Sequence, residues 1–184
     1  MVTVASGPHD CAGRARTQHF VRGGRVIKFQ LKDYYCGPAS LQNALLALGR
    51  RQSQDRIATI AGTTEADGTD ENGILRTALW AGLAPDQGRF DAGLAAHGWV
   101  WSSLTMGRPV LLCVDRWQHW VTAVGVLGQR VVLFDPARYP HNKARNGVFT
   151  LPRAKLLKRW AAARSVRGKG PVYYGIALGL DRVL

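Results

Sequence analysis

Gln30-Leu31-Lys32-Asp33-Tyr34-Tyr35-Cys36-Gly37-Pro38-Ala39-Ser40-Leu41 is the stretch from which the fold of this 184-residue chain is read. Cys36 stands before a Gly-Pro step, after which Ala39, Leu41, Ala44, Leu45, Leu46, Ala47 and Leu48 run apolar as far as Gly49. Proline in the first turn and glycine past the last mark the two ends of a buried α-helix. Cys36 is therefore expected to cap the helix N-terminus. Unpaired amide hydrogens and the positive end of the macrodipole stabilise a thiolate there, so the sulfur stands where its pKa falls.

A thiolate nucleophile needs a base, and Asp115-Arg116-Trp117-Gln118-His119-Trp120-Val121-Thr122-Ala123-Val124-Gly125-Val126 supplies His119 at the start of an apolar strand. Sixteen residues later Asp135 ends Val131-Val132-Leu133-Phe134-Asp135-Pro136, where the proline stops the ladder. In an antiparallel hairpin with an odd loop centred on Leu127, the two residues lie directly opposite, with Cβ atoms roughly 5 Å apart. A two-residue Gly128-Gln129 turn would shift the register by one and turn Asp135 away from His119. Pairing of His119 with Asp135 thus predicts the longer loop.

Gln30 lies six residues before Cys36 and carries a side-chain amide able to donate. Together with the backbone amide of Cys36 it would form a two-donor oxyanion hole, each donor worth about 3 kcal/mol of transition-state stabilisation. By itself the glutamine carries no meaning.

The order Gln30, Cys36, His119, Asp135 resembles that of the C39-type cysteine peptidases of the papain-like superfamily. The local strings resemble it as well: a glutamine six positions before Cys-Gly-x-Ala-x-Leu, a His-aromatic-Val strand start, a Phe-Asp-Pro strand end, and Gly107-Arg108-Pro109-Val110-Leu111 before the central sheet. The resemblance extends over roughly residues 25 to 180. It implies Cys36 as nucleophile, His119 as general base and acid, Asp135 as orienting carboxylate and Gln30 as oxyanion donor. Two departures stand out. Tyr35 occupies a position where the transporter-linked members usually carry aspartate, and no membrane or ATPase module follows in the chain, so the double-glycine leader specificity of those members is not implied.

Each residue also has a plainer reading. Cysteines are more often packed than reactive, and Cys113, inside Val110-Leu111-Leu112-Cys113-Val114, reads as a small buried hydrophobe. Cys11 reads as a tail thiol. His119 alone would be a satisfied strand-end histidine, Asp135 a strand terminator before proline, and Gln30 a loop residue. Only the four together recommend a catalytic site, because triads are recognised by combined roles. Asp115 is the competing carboxylate near His119, and its expected state is a solvated loop acid.

With 184 residues and 46% hydrophobic content, the chain has enough material for one domain with a substantial core. Residues 1–24 read as a flexible arm and 25–184 as the single domain. No signal peptide or membrane span is recognisable, and three cysteines at no metal-ligand spacing suit a reducing compartment, so a cytoplasmic setting is expected. The pattern predicts a short strand at Arg25–Phe29, the Cys36 helix, and a helix over Ser53–Ala61 capped by Ser53. A third helix follows, capped by Asp70, with the stripe Ile74, Leu75, Ala78 and Leu79. One or two short helices are expected in 90–106. Strands follow at 110–114, 119–126, 130–134 and 172–178, and a helix from Pro152 to about Ala163 precedes the last of them. Helices first and an antiparallel sheet second describe an α+β, papain-like fold with its cleft between the two.

Nothing in the chain points to a cofactor. Glu65-Ala66-Asp67-Gly68-Thr69-Asp70-Glu71-Asn72-Gly73 lacks the alternating ligands of a calcium loop and reads as a capped loop, and Trp80, Trp99 and Trp101 read as packing or cleft residues. Twenty-five basic against 12 acidic residues give a net charge of +13. No acid lies between Pro136 and Leu180, while Arg138, Lys143, Arg145, Arg153, Lys155, Lys158, Arg159, Arg164, Arg167 and Lys169 do. Such a field attracts acidic chains, anionic lipid or nucleic acid, or is a solvated face. No nucleic-acid-binding signature accompanies it. The expected activity is thiol hydrolysis of a peptide or amide bond in a peptide or protein substrate, acidic ones included. The same acyl-thioester chemistry would also serve deamidation, isopeptide cleavage or acyl transfer. A catalytically silent basic module for an acidic partner is the reading of a different class.

Overall fold

All five residues of Val110–Val114 (β2) are buried, a continuous apolar run where a half-exposed strand would alternate. Such a strand must be covered on both faces. Val110, Leu112 and Val114 face one cluster, shared with Ala96, Val100, Leu156 and Trp160, whereas Leu111 and Cys113 face another, shared with Leu41, Leu45, Ile57 and Ile74. Cys113 is thus the packed residue the sequence predicts.

The computed structural model describes residues 27–138, 146–161 and 172–180. Among them, α1 (Cys36–Ala47), α2 (Gln54–Ala61) and α3 (Glu71–Trp80) precede β1 (Leu83–Phe90) and α4 (Gly93–Thr105). After β2 come β3 (His119–Leu127), β4 (Arg130–Phe134), β5 (Val148–Pro152), α5 (Arg153–Trp160) and β6 (Tyr173–Leu180). The strands form one antiparallel sheet in the order β1-β6-β2-β3-β4-β5. Helices α1 to α3 cover one face, and α4 and α5 the other. This is an α+β fold, with helices on both faces of the sheet. The expected arm, residues 1–24, lies outside the described residues, as do Lys143, Arg145, Arg164, Arg167 and Lys169 of the basic segment.

Local signals set the helix ends. Ser53 accepts from the backbone N–H of Arg56 at 3.2 Å, and Asp70 from that of Gly73 at 2.7 Å, so both expected caps are in place. Asp67 of the acidic loop accepts from the Thr64 hydroxyl at 3.2 Å, a capped loop as expected. Helix α1 has no side-chain cap, and its N-cap is Tyr35, which makes Cys36 the first helical residue instead of the cap. It is buried nearly all round, from Gly37 to Leu45. Gly37 is required by a close approach, since a Cβ there would lie 2.6 Å from Cβ and Oγ1 of Thr69.

Three expectations need correction. Residues 27–29 of the expected strand Arg25–Phe29 belong to no strand, because side-chain amides take their backbone groups. Asn43 bonds both N–H and C=O of Lys28 at 2.8 and 2.9 Å, and Gln54 accepts from Leu31 N–H at 3.0 Å while donating to Phe29 C=O at 2.8 Å. Two strands missing from the reading, β1 and β5, carry mixed or half-buried patterns that period-two alternation does not reveal. The stretch 90–106 holds one helix, α4, within the expected one or two. Finally, the β3–β4 hairpin closes through Gly128-Gln129, with Leu127 opposite Arg130, so the longer loop does not form.

Candidate active site

Two hydrogen bonds fix the helix of Cys36 on the strand of His119. The Ser40 hydroxyl donates to the Trp120 carbonyl at 2.8 Å, and the Thr122 hydroxyl donates to the Ser40 carbonyl at 2.7 Å, all in the core. Trp120 also donates its indole N–H to the Thr69 carbonyl at 2.9 Å, closing the loop before α3 over the helix start. Helix start and strand start therefore lie side by side, which brings the imidazole of His119 near enough to the thiol of Cys36 to lower its pKa.

His119 Nε2 lies 2.8 Å from Asp135 Oδ1. A two-residue turn alone would set Asp135 across from Thr122 and away from His119. Between Ala123 and Gly125, however, β3 takes one extra residue, and beyond it Thr122 pairs with Phe134. Continued by one residue, this register sets Asp135 across from Val121, on the side of His119 and diagonal to it. The β-bulge thus restores the parity that the short turn removes. With Nε2 on the carboxylate, Nδ1 is the nitrogen left for the thiol.

The electrostatics agree with a thiolate–imidazolium pair. Burial pushes the Cys36 thiol up, but the His119 hydrogen bond and charge, with the backbone N–H groups of Trp120 and Gly37, bring it below its ordinary value. Burial pulls His119 down, yet the hydrogen bonds to Asp135 and Cys36 carry it up to about 9. Burial also opposes ionisation of Asp135, and His119, Arg159 and the Ala137 N–H overcome it and hold the carboxyl below its usual range. Each charge is stabilised by its neighbour. Cys113, by contrast, is pushed up to about 12, chiefly by burial, an inert thiol.

Asp135 is 3% exposed and held from several directions. Its Oδ1 also accepts from Ala137 N–H at 3.0 Å, its Oδ2 accepts from Arg159 at 2.8 Å, and its backbone N–H donates to the Gly147 carbonyl at 2.9 Å. Gly147 has a φ of +69, and a Cβ there would strike the Ile27 side chain, so only glycine meets this backbone.

A cavity of about 550 Å³ opens beside His119 and Asp135, lined also by Gln30, Asp33, Arg138 and Arg159. Gln30 is delivered there by the irregular 27–31 segment, whose Gln30 N–H donates to the Pro136 carbonyl at 2.9 Å. Its Nε2 donates to the Asp33 carbonyl at 2.9 Å, which engages one of its two amide hydrogens. The structure thus brings Cys36, His119 and Asp135 together and sets Gln30 at the edge of the cavity beside them. Asp115 is not a merely solvated acid: it takes both Nε and Nη2 of Arg159, with distances from 2.8 to 3.2 Å. Nothing in the sequence separates Arg159 from the other cations of its segment, and its place in the site was illegible there.

Among the described residues, no helix is long and apolar enough to cross a membrane. The peptidase domain of Streptococcus ComA, a bi-functional ABC transporter involved in quorum sensing, superposes with a TM-score of 0.60 at 19% identity, covering 84% of this chain and 97% of that domain. A double glycine motif protease from an AMS/PCAT transporter, solved in complex with the leader peptide, superposes with a TM-score of 0.58 at 19% identity, covering 83% of this chain and 88% of that one. An uncharacterized protein of Methanothermobacter marburgensis is 29% identical over 115 residues, 62% of this chain and 74% of its own length. A second, from Methanothermobacter thermautotrophicus, is 39% identical over 61 residues, of which this chain spans 42% of the relative's length. The family model matches residues 26–167, which include Cys36, His119, Asp135 and Gln30, and the chain belongs to the Peptidase_C39 like family.

Proposed function

We propose that this chain is a cysteine peptidase in which Cys36 is the nucleophile, His119 the general base and acid, Asp135 the orienting carboxylate and Gln30 an oxyanion donor. The observation that supports it most is the 2.8 Å contact of His119 with Asp135, set beside the first turn of α1 where Cys36 stands. The proton of Cys36 passes to His119, and the thiolate attacks the carbonyl carbon of the scissile amide, whose oxygen becomes an oxyanion facing the Cys36 N–H and the side-chain amide of Gln30. His119 returns its proton to the leaving nitrogen as the C–N bond breaks, leaving a thioester. Water, deprotonated by His119, adds to the thioester, and collapse expels the sulfur, which regains the proton from His119 as the acid leaves.

A peptide ligand is in keeping with the leader peptide bound to the double glycine motif protease of the same fold. The net charge of +13 favours acidic chains among such peptides, and a cytoplasmic setting suits a thiol nucleophile kept reduced. The test is the pH dependence of Cys36 alkylation by iodoacetamide, located by peptide mass, in the native chain and in His119→Ala. Fast labelling well below the ~8.5 of a free thiol, lost in His119→Ala, is the expected result. An ordinary thiol titration in both chains overturns the reading.

A further inference from the structure

Arg159 lies on α5, across the sheet from the helix that carries Cys36, and its guanidinium reaches through to the cleft. The two hydrogens of its Nη2 are divided between two carboxylates, Oδ2 of Asp135 at 2.8 Å and Oδ2 of Asp115 at 2.8 Å. Its Nε lies 3.1 and 3.2 Å from the two oxygens of Asp115, and the Asp115 N–H donates to the Arg159 carbonyl at 3.0 Å. The Phe149 ring lies under the guanidinium, 5.4 Å from centroid to Cζ. Arg159 is therefore fixed by main chain, carboxylate and aromatic face before it touches Asp135.

The turn it grips leads straight into His119. Asp115, Arg116 and Trp117 have φ of 53, 62 and 66, three consecutive left-handed residues, none of them glycine. L residues adopt this conformation only where the surroundings hold them in it. The bidentate Arg159–Asp115 pair does so, and the same guanidinium fixes the outer oxygen of Asp135, which leaves Oδ1 aimed at His119. We propose that Arg159 is the positioning residue of this site, holding Asp135 on His119 and the 115–118 turn in register, with Asp115 as its anchor. This rests on the catalytic reading of Cys36, His119 and Asp135 given above. Charges then alternate along the row Asp115, Arg159, Asp135, His119, Cys36, ending at the sulfur. Lysine would supply the charge but not the planar fork that serves two carboxylates at once.

Position and charge predict opposite signs. If Arg159 acted through its charge alone, removing it would raise the proton affinity of His119. If it positions Asp135, removing it loosens the hydrogen bond that raises His119, and the proton affinity falls. The groups facing His119 are Asp135 and Cys36, with Asp33 and Arg138 lining the same cavity. The experiment is an NMR titration of His119 in the full chain carrying Cys36→Ala, with and without Arg159→Met. This background makes the readout independent of whether the thiol is catalytic. A His119 midpoint at least one pH unit lower in Arg159→Met is expected, with Arg159→Lys and Asp115→Asn intermediate and circular dichroism unchanged. In the Cys36-containing chain, Arg159→Met should slow alkylation at pH 6 about tenfold, and adding Asp135→Asn should slow it less than twofold further, because both act through one contact. A His119 midpoint that stays or rises overturns the proposal, as does full additivity with Asp135→Asn. Should Arg159→Met fail to fold, the milder Arg159→Lys and Asp115→Asn decide by the same sign. An ordinary Cys36 thiol in the native chain, together with a lowered His119 midpoint in Arg159→Met, would reject the peptidase reading and retain the clamp.

Discussion

His119 Nε2 lies 2.8 Å from Asp135 Oδ1 across a hairpin whose two-residue turn, taken alone, would have faced them apart. The extra residue of β3 between Ala123 and Gly125 restores the side on which they meet. Asp135→Asn tests the contact itself. Asparagine offers Nε2 either an acceptor or a donor and no charge, so the imidazolium loses its partner. The turnover of a cleaved peptide should fall by on the order of 10² to 10⁴-fold with circular dichroism unchanged, as expected of an orienting carboxylate. A loss under threefold would remove Asp135 from the mechanism.

Proton linkage gives an unusual signature. His119 is raised from 6.5 to about 9, so taken alone it stabilises the fold fully below 6.5, and the contribution is lost as pH rises through about 9. Cys36 is lowered from 9.0, so taken alone its contribution is present above 9.0 and lost as pH falls through the folded value. Above the lowered value of Cys36, and between 6.5 and about 9, the folded pair holds its one proton on His119 and the unfolded chain holds one on Cys36. Equal proton counts make the native stability flat there. In Cys36→Ala the unfolded chain holds none above 6.5, while the folded His119, still raised by Asp135 but no longer by Cys36, holds one over a narrower range, so stability there should fall with pH by up to about 1.4 kcal/mol per unit. Urea unfolding of both chains at pH 6.5, 7.5 and 8.5 reads the two slopes, and equal slopes would contradict an ion pair.

The Ser40 hydroxyl donates to the Trp120 carbonyl and the Thr122 hydroxyl to the Ser40 carbonyl, two buried hydrogen bonds that seat α1 on β3. Thr122→Val keeps the shape and removes the donor, so it should cost about 1–2 kcal/mol in urea unfolding. Ser40→Ala should cost a similar amount. Because these bonds also set Cys36 against His119, both variants should slow alkylation at pH 6. Stability loss with unaltered alkylation would show that the seat is redundant.

Gly37→Ala places a Cβ 2.6 Å from Cβ and Oγ1 of Thr69. The Thr69 carbonyl is bonded to the Trp120 indole, so this loop cannot retreat without breaking a buried contact. A loss of about 1–3 kcal/mol is expected, the range of overpacked cores, with the Cys36 thiol moving toward an ordinary titration. Thermal unfolding with the alkylation profile checks both, and an unchanged Tm would mean that the loop yields.

Much of this protein is legible along the chain. The Cys36 helix, the Ser53 and Asp70 caps, the buried β2 run, and the order Gln30, Cys36, His119, Asp135 are matters of neighbouring residues, because helix ends and apolar periodicity are local properties. Residue sums or spacing do not reach further. The length of the β3–β4 turn followed from parity only if the strand was regular, and a bulge is an irregularity that costs one residue without leaving a composition signal. The segment before Gln30 looks like a strand because its residues favour extension, but Asn43 and Gln54 claim its backbone groups from two helices. Arg159 is indistinguishable from its cationic neighbours until α5 crosses the sheet and brings it to Asp115 and Asp135, 44 and 24 residues away. The sequence determined which chemical groups are present and the local elements that carry them. Only the tertiary structure decided which of those groups meet, because contacts between distant residues depend on register and packing summed over the whole sheet.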